Sequence, residues 1–89
     1  MIVTYKINTE ILTTHIPTNQ RVIEFLYRCM NATDNVYKKN AYLRAINEVH
    51  SYWHVIDVSQ WVPQTIGQSI ARKIREFLEG FPEEDILYS

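Results

Sequence analysis

Apolar residues recur along three stretches of this chain at the three- and four-residue steps of a helix packed on one side. Val22, Ile23, Leu26, Cys29 and Met30 mark a helix over about residues 19–31, with Thr18 or Asn19 as its N-cap once Pro17 has broken the preceding pattern. Tyr42, Ala45, Ile46, Val49, Tyr52 and Trp53 mark a second and longest helix over about 36–53, entered from the polar turn Asn31-Ala32-Thr33-Asp34-Asn35. Asp57 with Gln60 resembles a capping box for one short helical turn before Trp61-Val62-Pro63. Ile70, Ala71, Ile74, Phe77 and Leu78 then predict an amphipathic helix over about 68–79, led by Gly67 and stopped by Gly80 and Pro82. The first sixteen residues differ: Ile2, Val3, Tyr5, Ile7, Ile11 and Leu12 are β-formers interrupted at Asn8-Thr9-Glu10, which reads as a strand pair or as one strand and an extended arm. Glu83-Glu84-Asp85 reads as part of a loosely held acidic tail over 81–89.

Composition narrows what such a chain does. Its 89 residues, 46% of them apolar, make one small domain of residues 18–80 with the 1–16 extension and the tail, too little for a two-domain enzyme. A domain of this size leaves little room for a deep pocket, which favours a binding module. The single Cys29 cannot form an internal disulfide, and the N-terminus does not read as a signal peptide, so an intracellular, non-secreted protein is expected. No apolar run reaches the roughly eighteen residues that span a bilayer, so no membrane role is expected. Nine Lys and Arg against ten Asp and Glu give a net charge of −1, which by itself offers no reason to expect nucleic acid. The distribution changes that. Arg72, Lys73 and Arg75 crowd the first half of the last amphipathic helix and Lys38 and Lys39 open the second, whereas Glu79, Glu83, Glu84 and Asp85 lie at or beyond the last helix's end.

The stretch from Val62 to Gly80 carries the most chemistry. A glycine at position 67 permits a tight turn with positive φ, leading into a helix whose first amides have no intrahelical partner. Such amides and the positive end of the helix dipole suit an anion. A DNA phosphate would be held by amides of Thr65, Ile66, Gly67, Gln68 and Ser69, with the Ser69 hydroxyl, and drawn in by Arg72, Lys73, Arg75, Lys38, Lys39 and Arg44. A contact of this kind reads backbone rather than sequence. The plainer alternative is that Gly67 links two packed helices and the cations form a solvated face.

Val62-Pro63-Gln64-Thr65-Ile66-Gly67 followed by Ile70-Ala71-Arg72-Lys73-Ile74-Arg75-Glu76-Phe77-Leu78 resembles the helix-hairpin-helix segment of the N-terminal domain of DNA polymerase beta and its relatives. There, a Leu-Pro-Gly-Val-Gly-type turn precedes Ile-Ala-x-Lys-Ile-x-x-Phe-Leu. Lys39-Asn40-Ala41-Tyr42-Leu43-Arg44-Ala45-Ile46 is similar to the second-helix run of that family, and the N-terminal domain of crossover-junction endonucleases shares the arrangement. The likeness covers about 60 of the 89 residues. It implies a mainly α, four-helix helix-hairpin-helix domain, here with a short N-terminal β extension, acting as a non-catalytic DNA-binding or scaffolding module in genome maintenance. It further implies a nucleus or another DNA-containing compartment, or a virion, since large DNA viruses also encode proteins resembling this family. Thr65 replaces the first hairpin glycine, a change toward the endonuclease branch that keeps the backbone further from a phosphate.

Two other readings accompany it. One is a protein-interaction module that keeps the fold without binding DNA. The other is a deoxyribose-phosphate lyase: the family's Schiff-base lysine falls on Lys73, with Lys38 and Tyr42 at a phosphate lysine and an aromatic, although Ser69 and Arg72 stand where the lyases have a lysine and an acid. His50 and His54 are spaced like two metal ligands but lack a third, so neither metal nor cofactor is expected. Trp53, Trp61, Tyr37, Tyr42 and Tyr52 could stack on bases, though the tryptophans fit a core better. The unpaired edges of residues 1–16 suit either a symmetric homodimer or a hairpin folded back on the helices.

Overall fold

In the computed structural model, which describes residues 12–52, 54–57 and 66–87, the apolar spacing becomes four helices and no strand among those residues: α1 Pro17–Asn31, α2 Val36–Ser51, α3 Gln68–Leu78 and α4 Glu83–Leu87. The protein is mainly helical, as the periodicity implies. The short turn expected over 57–60, the two tryptophans and most of the β extension lie outside the described residues. Residues 12–16 approach α1 in irregular backbone, the Thr14 N–H donating to Gln20 Oε1 at 2.8 Å.

Local chemistry accounts for each helix end. Pro17 opens α1 instead of merely breaking the chain before it: its fixed φ suits a first helical position, and the N–H it lacks would have had no partner. Ile16 therefore occupies the N-cap with no side-chain bond, correcting the cap expected at Thr18 or Asn19. Asn35 caps α2, its Oδ1 accepting from the amides of Tyr37 at 2.9 Å and Lys38 at 3.1 Å. That helix ends at Ser51, short of the expected residue 53. At the end of α3, Gly80 adopts φ 91°, and Phe81 N–H to Glu76 O with Gly80 N–H to Phe77 O form a Schellman motif.

Val22, Ile23, Phe25 and Leu26 of α1 pack with Ala45, Ile46 and Val49 of α2 and Ile74 of α3, all with no exposed surface. Ile56 and Ile66 join them from the connecting segment. One aromatic column sets how α3 sits on α1. The Phe25 and Phe77 rings stack at 4.4 Å and 13°, and the Arg21 guanidinium lies 5.5 Å from the Phe77 centroid. The acidic tail is not loose. α4 buries Ile86, and Arg28 grips Glu83 through both carboxylate oxygens, at 2.6 and 2.9 Å.

Asn19 is a polar side chain within this core. Fully buried, it donates from Nδ2 to the His54 carbonyl at 2.7 Å and, at 3.5 Å, to that of Tyr52, while its Oδ1 accepts the Ile56 amide at 2.9 Å. One side chain thus holds the chain leaving α2 against α1. Truncation strands buried backbone groups, so Asn19→Ala is expected to lower the unfolding free energy by about 2–3 kcal/mol in urea titrations, against less than about 0.5 kcal/mol for Thr18→Ala, which caps nothing.

Candidate functional site

Three turns of α3 divide its residues between two environments. Ile70, Lys73, Ile74 and Phe77 fall on the stripe facing α1, and Gln68, Arg72 and Arg75 on the outward stripe, because positions three and four apart share a face. The N-cap is Gly67, at φ −66° and ψ 156°. This is extended backbone open to any residue, and a Cβ there would meet nothing within 4 Å. The positive-φ turn expected at Gly67 is absent, so its lack of a side chain answers no steric demand of the fold. Alanine is expected to be tolerated there.

No side chain caps α3, and its first intrahelical bond runs from Ala71 N–H to Gly67 O at 3.1 Å. The amides of Gln68, Ser69 and Ile70 therefore precede the helical ladder, at the positive end of its dipole. Gln68, Ser69, Ala71, Arg72 and Arg75 line one open groove beside them. Arg72 is half exposed and only loosely paired with Glu76, at 4.0 Å. An anion in this groove would lie among Ser69 and two arginines, beside the first turn of α3.

Lys73, grouped in the sequence with Arg72 and Arg75 as a long-range charge, points the other way. It is 4% exposed, and its Nζ donates to the Ile86 carbonyl of α4 at 2.7 Å. It lines a pocket of about 370 Å³ bounded by Cys29 and Thr33 from α1 and its exit, Lys38 and Tyr42 from α2, Ser69 and Ile70 from α3, and Leu87 from α4. Burial pushes the Lys73 ammonium below the ordinary lysine range; the nearby Cys29 thiol opposes the shift, and Arg72 and Lys38 add to it. Burial also pushes the Cys29 thiol up to about 11, with the Tyr42 hydroxyl hydrogen-bonded to its sulfur, and raises Tyr42. A lysine whose pKa is lowered, facing a cavity, gives up its proton more readily and can then act as a nucleophile toward a carbonyl, whereas a protonated thiol is inert.

One residue of each basic cluster, Lys38 and Lys73, lines the same pocket, while Arg72 and Arg75 line the groove next to it. Ser69 lines both the groove and the pocket, and Lys38 from the start of α2 shares the pocket with Gly67 and Ser69 from the start of α3. Arg44 does not join them; it lines a separate shallow groove with Asn47, Glu48 and Ser51 further along α2. Lys39 is partly exposed in the first turns of α2, Ile66 turns its side chain into the core, and Thr65 lies outside the described residues. Tyr37 is 81% exposed, immediately before Lys38. His50 sits on α2 and His54 beyond its end, so their spacing is not that of a single helix face. No cluster of three metal-ligating side chains occurs among the described residues, and none of the helices there is long and apolar enough to cross a membrane.

The inward turn of Lys73 was not expected, although its spacing carries the signal: position 73 is three beyond Ile70 and four before Phe77, within the apolar stripe. Comparison with known proteins finds no matching family model, no similar curated protein and no similar solved structure.

The raised Cys29 pKa makes a signed prediction. Its folded value of about 11 lies above the ordinary 9.0, so the stability it contributes is complete below pH 9 and is lost as pH climbs from there through 11. Over that interval the wild-type unfolding free energy is expected to fall by roughly 2 kcal/mol more than that of Cys29→Ala. Equal slopes in the two proteins would contradict the buried-thiol assignment.

Proposed function

We propose that this chain is a helix-hairpin-helix module that binds the phosphate backbone of DNA at the start of α3 without strong sequence preference. The observation that carries the reading is the position of Ser69. It stands in the uncapped first turn of α3 and borders both the groove with Arg72 and Arg75 and the pocket with Lys38, so cations from α2 and α3 lie on either side of the start of α3. With a chain charge of −1, attraction comes from this local arrangement, and binding is weak and salt-sensitive. Tyr37, exposed beside Lys38, offers a ring to an unpaired base.

Fluorescence anisotropy on duplex, gapped and branched DNA over a salt series tests the reading. Arg72→Ala and Arg75→Ala are each expected to weaken binding on every sequence and to lower the salt slope by about one. Absence of binding at low salt would favour a protein-interaction module built on the same helices.

The Lys73 pocket favours a second reading, a deoxyribose-phosphate lyase. The unprotonated amine would add to the C1′ aldehyde of an opened abasic sugar and lose water to form an imine. Lys38 and Ser69 at the pocket wall suit the attached phosphate, with Ser69 in place of the lysine that family lyases carry there. Borohydride trapping on an abasic oligonucleotide is expected to leave a covalent adduct that Lys73→Ala abolishes. No adduct from the wild type would remove this reading and leave the backbone-binding one intact.

A further inference from the structure

Access to Lys73 poses a steric question that neither reading answers. A reacting carbonyl must come within about 3 Å of Nζ, yet the residue is 4% exposed and its amine is held at 2.7 Å by the Ile86 carbonyl. Some part of the pocket wall has to move. α1, α2 and α3 cannot readily do so, because Val22, Ile23, Leu26, Ala45, Ile46 and Ile74 belong to one fully buried core.

α4 differs in every respect that matters. It is five residues long and sends one fully buried side chain, Ile86, into the core. It follows Gly80 at φ 91° and Pro82, a bend that separates it from α3. Its first residue is held across the surface by the Arg28–Glu83 pair, whose side chains are 48% and 32% exposed. Its far end supplies both the carbonyl that holds Nζ and Leu87 at the pocket wall. Exposed ion pairs are weak, and elements with few buried contacts open first.

We propose that α4 is a strap that closes the pocket over Lys73, latched by Arg28–Glu83, and that its release gives a carbonyl compound access to the amine. The proposal rests on reading Lys73 as the reactive amine of this pocket. It does not require that the ligand be DNA. In the closed state Ile86 O accepts a hydrogen bond from Nζ; in the open state an aldehyde reaches the amine and condenses with it, the carbonyl oxygen leaving as water.

Reductive alkylation of the full chain tests it, with glyceraldehyde 3-phosphate as the aldehyde and cyanoborohydride supplying the hydride that reduces the imine to a secondary amine. Peptide mass spectrometry then gives labelling at Lys73 relative to Lys39, which does not line the pocket. Arg28→Glu and Glu83→Arg, each placing like charges at the latch, are expected to raise this ratio roughly fivefold, the population change an exposed ion pair supports. The double variant R28E/E83R rebuilds the pair with its charges exchanged and is expected to return the ratio to the wild-type value. An unchanged ratio in both single variants, or a rise that the exchange does not reverse, overturns the strap. A latch-dependent ratio together with no adduct on abasic DNA supports the strap and rejects the lyase reading, so the two fail separately.

Discussion

The arrangement depends first on one buried amide. Asn19 is placed among apolar side chains, where an unpaired polar group costs more than its hydrogen bonds return in water, and it satisfies both ends of its side chain on the backbone of residues 52–56. The bond is directional in a way that apolar packing is not. It fixes where the chain leaves α2 relative to α1, brings Ile56 into the core, and so sets the point from which the connection to α3 begins.

A second constraint is electrostatic. α3 carries three cations within four residues, and the fold takes one inside and leaves two in solvent. Burying the middle one is unfavourable to its charge, which lowers its pKa, and its Nζ donates to the Ile86 carbonyl. The tail is therefore tied to the pocket chemistry and not only to the hydrophobic core. Cys29 and Tyr42 complete a small interior of titratable groups in which the thiol and the phenol keep their protons while the amine is pressed to give one up.

Much of the helical framework was legible because it rests on local periodicity. Val22, Ile23, Leu26 and Cys29, then Tyr42, Ala45, Ile46 and Val49, then Ile70 and Ile74 are buried as their spacing implies. The failures share a physical origin in distance along the chain. Asn19 looks like an N-cap until its partners, 33 to 37 residues later, are known. Glu83-Glu84-Asp85 looks like a solvated end, because Arg28 is 55 residues away. Two misses were readable: acidic residues after Pro82 are a helix-start pattern, and the helical wheel places position 73 inward. Charge was counted there by neighbourhood in sequence, whereas a helix separates adjacent residues by about 100°.

That angle gives the aromatic column of Phe25, Phe77 and Arg21 a role beyond adhesion. Clamping Phe77 fixes the rotation of α3 about its own axis. Turned by a single residue position, the helix would bring Arg72, a guanidinium that never gives up its proton, toward the cavity in place of an amine that can. The ring stack thus acts as a selector among adjacent cations, deciding from one end of the helix which kind of base stands in the pocket at the other.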